Sequence, residues 1–475
     1  FLTQAARSYK NFLSFLRDDE VSIDYQYLWD LICQPNPKLF KNGINMAIIE
    51  LKDDDITDNI QVLCPSNHYA TSFFDSTKRT AILVKKGNYI EPIYSFEDKG
   101  DEYTITRLFS LKHKNTPTNI RTTLQLIKRS MEDKCGALPS MPKVYEFEKN
   151  FAKRTGAKFV ISVGNGTDAL YLSLKALNIG KGDEVITVPY TFISTVGAIA
   201  TAGAKPVFVD IKEDYNIDEK KIKSVITKKT KAIMPVHWAG RPCRLDKIKT
   251  IAKKYNLKII QDASQTIDSR FKNKQLVSFG DVCAYSMHPL KNLNIWGDGG
   301  FIATNNKRIA DKLYLLRNHG LISRNKSKIF GYNSRLDTIQ AVVANYKLKN
   351  KLNTITKKRI KNAHLFDKLL KINPNEKIMK RFPHLKEVFH LYHINVKKRD
   401  QLQQYLIKNG VDAKVHYPIP IHLQPAAKYL KYKKGDFPLA EEMANTSMSL
   451  PVHEFIKESD IKYVANLINN FFKYN

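Results

Sequence analysis

One lysine, Lys291, occupies a setting unlike that of most of the 77 basic residues in this 475-residue chain. It follows an apolar run at 282–285 that is typical of a strand, and it precedes a glycine-rich turn at 297–300. A lysine is usually a solvated surface charge. A lysine amine that burial and nearby positive charge keep neutral can instead attack a carbonyl carbon. The sequence therefore predicts a nucleophilic amine, with Ser286 nearby as a candidate phosphate ligand.

Two other segments place polar residues directly after predicted strands. Gly166, Thr167 and Asp168 open a predicted helix, where free backbone N–H groups and the helix dipole favour a phosphate. Asp262 follows the predicted strand at 258–260, and Gln265 lies three residues later. Alone, the first segment is more typical of a tight turn, and the second is more typical of an aspartate that caps the next helix.

The three segments together meet the needs of pyridoxal 5'-phosphate (PLP). A carboxylate such as Asp262 raises the pKa of a nearby pyridine nitrogen and keeps the ring cationic, which makes the ring a better electron sink. Gln265 can donate a hydrogen bond to the phenolic oxygen of the ring. We therefore predict PLP as the cofactor. No metal site is expected, because the five cysteines are scattered without metal-ligand spacing.

Beyond residue 142, helical patterns alternate with short apolar runs, which predicts an α/β fold with a mostly parallel, seven-stranded sheet that binds ligands at its carboxyl edge. The predicted strands lie at 159–163, 184–188, 206–209, 232–235, 258–260, 282–285 and 301–304. Further strands are predicted at 390–396 and 413–416, within a smaller C-terminal α+β domain. The expected domains are an N-terminal module of unknown role at 1–138, a large PLP-binding domain at 143–345 and a small domain at 346–475.

The N-terminal module differs in composition from the rest of the chain. Residues 1–140 hold equal numbers of acidic and basic residues, so the net charge of +31 falls after them. A helix at 5–16 and strands at 47–51, 80–85 and 103–109 predict a small α+β module. The amino-acid sequence of this module faintly resembles those of uncharacterised proteins of large DNA viruses.

The surface charge and hydropathy limit the classes of partner. The lysines are dispersed and lack interleaved aromatic residues, so nucleic-acid binding is not expected. No apolar run is long enough to span a membrane. Scattered cysteines favour a reduced compartment, and we predict a cytoplasmic protein (host cytoplasm if viral).

From about Tyr145 to the end, the sequence resembles the DegT/DnrJ/StrS family of sugar aminotransferases. The matching segments are 166–170, 189–192, 235–240, 262–265, 288–292, 317–320, 331–337 and 415–418. This resemblance implies a type I PLP-dependent aminotransferase fold and a homodimer with active sites shared between the subunits.

The resemblance also implies roles for individual residues. Lys291 would carry the covalent link to PLP, and Asp262 would pair with the pyridine nitrogen. The other implied cofactor-binding residues are Gly166, Thr167, Asp168, Phe192, Gln265, Ser286 and Asn333, of which Asn333 would reach the partner subunit's cofactor. The implied substrate-side residues are Tyr190, His319, Arg335, His416, Tyr417 and His422.

The implied reaction moves an amino group from L-glutamate to a keto sugar that is attached to a nucleotide. A glutamine-dependent cyclitol aminotransferase and a catalytically idle binding or structural protein are the alternatives. One departure from the family supports the hypothesis of a catalytically idle protein. Residues 1–140 occupy the place where relatives carry a lead-in segment. The sequence leaves open the sugar, the nucleotide, the position of the amino group and the amino donor.

Overall fold

A computed structural model describes two compact units of the chain, Phe1–Met141 and Pro142–Asn475. In the first unit it describes only the strands at 45–51, 60–63, 80–86, 89–92, 94–98 and 103–108; in the second it describes 142–371 and 377–474. The predicted helix at 5–16 lies outside these residues, and so does the segment at 135–141 between the predicted N-terminal module and the predicted PLP-binding domain.

The described strands of the first unit form two small sheets. β1 to β6 are Asn45–Leu51, Ile60–Leu63, Thr80–Lys86, Tyr89–Pro92, Tyr94–Asp98 and Tyr103–Leu108. The strand order of the larger sheet is β2-β1-β3-β4, and β5 pairs with β6. The three strands that the sequence predicted for this unit are all present.

The second unit contains fifteen strands within its described residues. β7 to β15 are Phe159–Val163, Glu184–Thr187, Lys205–Phe208, Thr230–Ile233, Lys258–Asp262, Arg270–Phe271, Lys274–Gln275, Val282–Ser286 and Gly300–Thr304. β16 to β21 are Leu321–Ser323, Lys326–Ser327, Lys377–Ile378, Leu385–Lys386, Tyr392–Asn395 and Ser447–Leu450.

Seven of these strands form the central sheet, in the order β7-β15-β14-β11-β10-β8-β9. All of its pairs are parallel except the two that β15 makes with β14 and β7. The predicted α/β fold with a mostly parallel, seven-stranded sheet is therefore confirmed, and the strand positions agree to within two residues.

Helices flank the strands on both faces of the sheet. α1 to α5 are Pro142–Thr155, Gly166–Ala176, Ile193–Thr201, Leu245–Tyr255 and Lys307–Leu316. Neighbouring strand residues enter different cores: Val185 packs with Leu170 of α2, whereas Ile186 packs with Ile248 of α4. Burial on both faces explains why these strands are continuous apolar runs.

The C-terminal part has its own apolar core. α6 to α10 are Thr338–Asn350, Leu352–Leu369, Arg399–Lys408, Pro438–Thr446 and Glu458–Tyr474. Phe366, Ile394, Leu406, Met448 and Ile468 pack together there. The proposed boundary between a large and a small domain falls inside α6 and stays a prediction.

One strand prediction in this part is wrong. Residues 413–416 do not form a strand, because only Lys414 pairs with a neighbouring strand, in an isolated bridge to Ser449. Ala413 is nevertheless buried, and burial of alternate residues produced the misleading pattern. Among the described residues, no helix is long and apolar enough to cross a membrane.

Candidate active site

The candidate site lies where β11 and β14 end side by side. Asp262 is the last residue of β11 and pairs in register with Ala284, two residues before Ser286 ends β14. Because the two strands are parallel, their carboxyl ends open on the same edge of the sheet. The sheet thus places a carboxylate and a hydroxyl at the start of the turn that carries Lys291.

The Asp262 carboxylate is buried and is hydrogen-bonded only to neutral donors. The Thr195 hydroxyl donates to Oδ2 at 2.7 Å, and the Ser264 backbone N–H donates to Oδ1 at 3.1 Å. No cationic side chain among residues 142–371 and 377–474 forms an ion pair with it. A buried carboxylate without a cation is costly. The site therefore suits a cationic ring nitrogen, which is the group that PLP would bring.

The Lys291 amine is partly buried, and in the described part of the chain it makes neither a hydrogen bond nor an ion pair. Burial lowers the pKa of Lys291 from 10.5 to about 8, although the nearby Asp262 carboxylate acts to raise it. The turn is fixed at its start, since the Lys291 N–H donates to the His288 carbonyl at 2.8 Å. A neutral amine is thus available near physiological pH, as nucleophilic chemistry requires.

Glycines at the start of α2 form a tight cradle. A Cβ on Gly166 would lie 2.7 Å from the Ser286 Cβ, and a Cβ on Gly300 would lie 2.4 Å from the Asn165 carbonyl oxygen. The Asn165 side chain caps the helix by accepting from the Asp168 N–H at 2.8 Å. The first N–H groups of an α-helix have no partner within it. The cradle, the Ser286 hydroxyl and these donors suit a phosphate.

Two further predicted residues flank this edge. The Gln265 side chain is oriented by the Ala239 N–H, which donates to Oε1 at 2.6 Å, so that its amide NH₂ remains a donor. Phe192 precedes α3 and is 51% exposed, with its ring 5.8 Å from that of Tyr417. An exposed aromatic ring at this edge of the sheet can cover the flat face of a cofactor ring.

Three predicted substrate residues form one wall. Tyr190 donates a hydrogen bond to the His416 carbonyl, and the His416 Nδ1 lies 2.7 Å from the Ser449 hydroxyl. Burial lowers the pKa of His416 to about 4, with smaller effects from Lys414 and Lys291, and burial raises the pKa of Tyr417. This wall is therefore uncharged at neutral pH.

Other predicted residues engage different partners. The buried His422 lies 3.0 Å from Glu441 through Nε2, and the Asp168 carboxylate accepts from the Ser334 hydroxyl at 2.6 Å. Both are thus occupied by structural contacts of the second unit.

His319, Asn333 and Arg335 are exposed, and Arg335 donates to Asn318 at 3.2 Å. The backbone joins 318 to 333 in a single bridge. These three residues form a group of their own beside the segment that contains Gly164, whose N–H donates to the Ser334 hydroxyl at 3.0 Å.

Sequence reasoning missed three residues of the site. Thr195 orients Asp262, and Asn292 tethers the lysine turn through Val388 at 2.9 Å. Burial lowers the pKa of His390 well below its usual value, and the nearby Lys291 charge lowers it further. Thr195 could have been found from its position one turn after Thr191, with which it shares a 2.7 Å hydrogen bond. Asn292 lies in the family-like segment 288–292, but no local pattern marks its contact with Val388 or the position of His390.

Comparison with known proteins identifies the family. Residues 121–469 match the DegT/DnrJ/EryC1/StrS aminotransferase family. The chain belongs to this family. It is a PLP-dependent aminotransferase, and the predicted family, enzyme class and cofactor are confirmed. The match begins upstream of Tyr145, where the resemblance in the sequence started.

Similar proteins include sugar transaminases. A "Pleiotropic regulatory protein" of Geobacillus stearothermophilus is 40% identical over 70% of this chain and 90% of its own length. The dTDP-3-amino-3,6-dideoxy-alpha-D-galactopyranose transaminase of Aneurinibacillus thermoaerophilus is 38% identical over 69% of this chain and 90% of its own. The crystal structure of S. venezuelae DesV, titled as a complex with a ketimine intermediate, has a TM-score of 0.71 and 32% identity, covering 74% of this chain and 94% of that one.

Proposed function

We propose that this aminotransferase moves an amino group from L-glutamate to a keto sugar linked to a nucleoside diphosphate. One observation carries the proposal: burial lowers the pKa of Lys291 to about 8, and the amine, which makes no hydrogen bond or ion pair within the described residues, lies close enough to the buried Asp262 carboxylate to interact with it electrostatically. The names of several relatives support the substrate class, among them dTDP-sugar and UDP-sugar aminotransferases.

We propose cofactor contacts that follow the family resemblance and that this geometry supports. Asp262 would hold the pyridine nitrogen in its protonated form, and the Gln265 amide would donate to the ring oxygen. Gly166, Thr167 and Ser286 would hold the phosphate, and Phe192 would cover the ring. When bound, PLP supplies an electron sink for the carbon that loses or gains the amino group.

Lys291 has two roles in the proposal. Its Nζ would hold the cofactor covalently, and when free of that link it would take up and return a proton as a general base. A pKa of about 8 suits both tasks, because the amine can be neutral or protonated near physiological pH. The uncharged wall of Tyr190, His416 and Tyr417 would face the sugar.

We further propose a homodimer in the cytoplasm. Phe330 is 100% exposed and Ile322 is 52% exposed on the segment that leads to Asn333. Apolar side chains at such exposure suit a protein interface, and a second copy would receive Asn333, His319 and Arg335 near its cofactor. Light scattering after gel filtration measures the mass of the protein in solution.

The free, buried thiols of Cys243 and Cys283 support a reducing compartment.

A single experiment tests the activity. The protein is incubated with PLP, L-glutamate or L-glutamine, and a panel of 3-keto and 4-keto nucleotide sugars and keto cyclitols, and the products are read by mass. Visible-violet absorbance of the holoenzyme, lost in Lys291→Ala, is expected, together with an aminated nucleotide sugar. Absorbance without amino transfer to any acceptor would favour the idle alternative, and an aminated cyclitol would favour the glutamine-dependent one.

A further inference from the structure

Asn292, the neighbour of Lys291, is buried and joins the lysine turn to a distant part of the chain. Its Nδ2 donates to the Val388 carbonyl at 2.9 Å across a separation of 96 residues. Its Oδ1 is buried without a hydrogen-bond partner among the described residues. A buried amide that satisfies only one end is costly, and the hydrogen bond to Val388 offsets part of that cost.

The segment that receives this tether, 388–391, also supports the opposite side of the site. The Val388 N–H donates to the Gly240 carbonyl at 3.2 Å, and the Leu391 N–H donates to the Ala239 carbonyl. The Ala239 N–H in turn orients Gln265. A Cβ on Gly240 would lie only 2.8 Å from the Phe389 nitrogen, so the two backbones are in close contact.

A buried arginine holds the same segment in place. Nη1 of Arg359 donates to the carbonyls of Phe389 and His390, each at 3.3 Å, and its guanidinium pairs with Glu454 at 3.1 Å. Phe389 has a positive φ of 48°, which is uncommon for a residue other than glycine. Such a conformation persists only where its surroundings determine it, and Arg359 provides that constraint.

We propose that Asn292 is a positioning residue for Lys291, with 388–391 as the fixed support to which it is tied. The inference rests on the role proposed above for Lys291. The lysine stem is long and flexible, so its reach is useful only if its backbone is fixed. Segment 388–391 contacts both the lysine turn and the residues that orient Gln265, and it therefore fixes the position of the lysine turn relative to Gln265.

The test compares Asn292→Leu with a matched control, Asn469→Leu. Asn469, on α10, donates the same kind of bond, from Nδ2 to the Leu369 carbonyl at 2.9 Å, and its Oδ1 accepts from the Lys371 N–H at 2.8 Å, so neither of these hydrogen bonds reaches a site residue. We expect Asn292→Leu to lower kcat about tenfold to a hundredfold, as small misplacements of reacting groups do, with little change in KM for the sugar. It should also shift the pH midpoint of the violet absorbance and weaken PLP binding to the apoenzyme. Asn469→Leu should leave all four quantities unchanged.

Arg359→Lys probes the support from its other end while keeping the positive charge. The same shift in absorbance midpoint is expected, although Arg359 is not in hydrogen-bond contact with the lysine turn. The inference is overturned if both Asn292→Leu and Arg359→Lys keep the wild-type kcat and absorbance midpoint, or if Asn469→Leu changes them equally. These outcomes are distinct from failure of the proposed function, in which the wild-type protein itself would show no absorbance that depends on Lys291.

Discussion

Replacing Lys291 by methionine should stabilise the apoenzyme, and the gain should depend on pH. Burial lowers the pKa of Lys291 from 10.5 to about 8. Each pKa unit corresponds to about 1.4 kcal/mol, so keeping this amine charged in the folded state costs about 3 kcal/mol. Below pH 8 the amine is protonated in both the folded and unfolded states, and the whole cost is present.

Between pH 8 and 10.5 the folded protein has lost the proton while the unfolded chain keeps it. Since the unfolded state then binds more protons, the stability of the wild-type apoenzyme rises with pH relative to the variant. The difference in free energy of unfolding between Lys291→Met and wild type should therefore shrink from about 3 kcal/mol at pH 7 to about 1 kcal/mol at pH 10.

Denaturant unfolding of both apoenzymes at the two pH values measures this difference. Methionine also changes the packing, but that contribution does not vary with pH, so the change between pH 7 and 10 is diagnostic. Lys158→Met makes the same substitution at an exposed position and serves as the control. A difference that stays constant from pH 7 to 10 would refute the reasoning.

Three other predictions follow from the contacts of the second unit. Gly166→Ala should weaken PLP binding at least tenfold, because the added Cβ would crowd Ser286. The control Gly197→Ala has open space around its Cβ and should bind PLP normally. Absorbance titration of each apoenzyme with PLP measures the affinity. Arg317→Leu should destabilise the fold by about 3–5 kcal/mol, since it leaves the buried Glu148 carboxylate without its cation; an unchanged denaturation midpoint would contradict this. Burial lowers the pKa of His393 to about 3, so the unfolded chain takes up a proton near pH 6.5 that the folded protein does not, and stability should fall as the pH drops from 6.5 towards 3. His393→Phe should make the loss of stability over that pH range shallower, and equal slopes for the two proteins would show that His393 is not responsible.

The sheet and its ligand-binding edge could be predicted because the information is local. Strands buried on both faces are short apolar runs, so the ends at Asp262 and Ser286 could be located within two residues. Their adjacency followed from the rule that parallel strands share a carboxyl edge. The single reversed strand β15 was not predicted, because direction is not encoded in an apolar run.

The supports of the site could not be predicted in the same way. Asn292 and Val388 meet through tertiary packing across 96 residues, and nothing near either residue marks the pair. The substrate-side role of His422 stays a prediction, and its buried contact with Glu441 is one that only the folded chain brings together. Residue type and spacing thus located the groups proposed to react, but not the groups that orient them.

The reversal of β15 has a consequence for how the pocket assembles. Because Ser286 pairs with Gly300, the stretch that carries Lys291 is a hairpin connection between two antiparallel strands and not a crossover to a helix. The entropic cost of closing a loop grows with its length, so the β14–β15 hairpin can form from residues that are near one another in the sequence. The tether of the lysine turn can form only when segment 388–391, which begins 96 residues after Asn292, packs against that turn. A folding intermediate in which β14 and β15 are paired but the tether from Asn292 to Val388 has not formed is therefore the species to seek in refolding experiments.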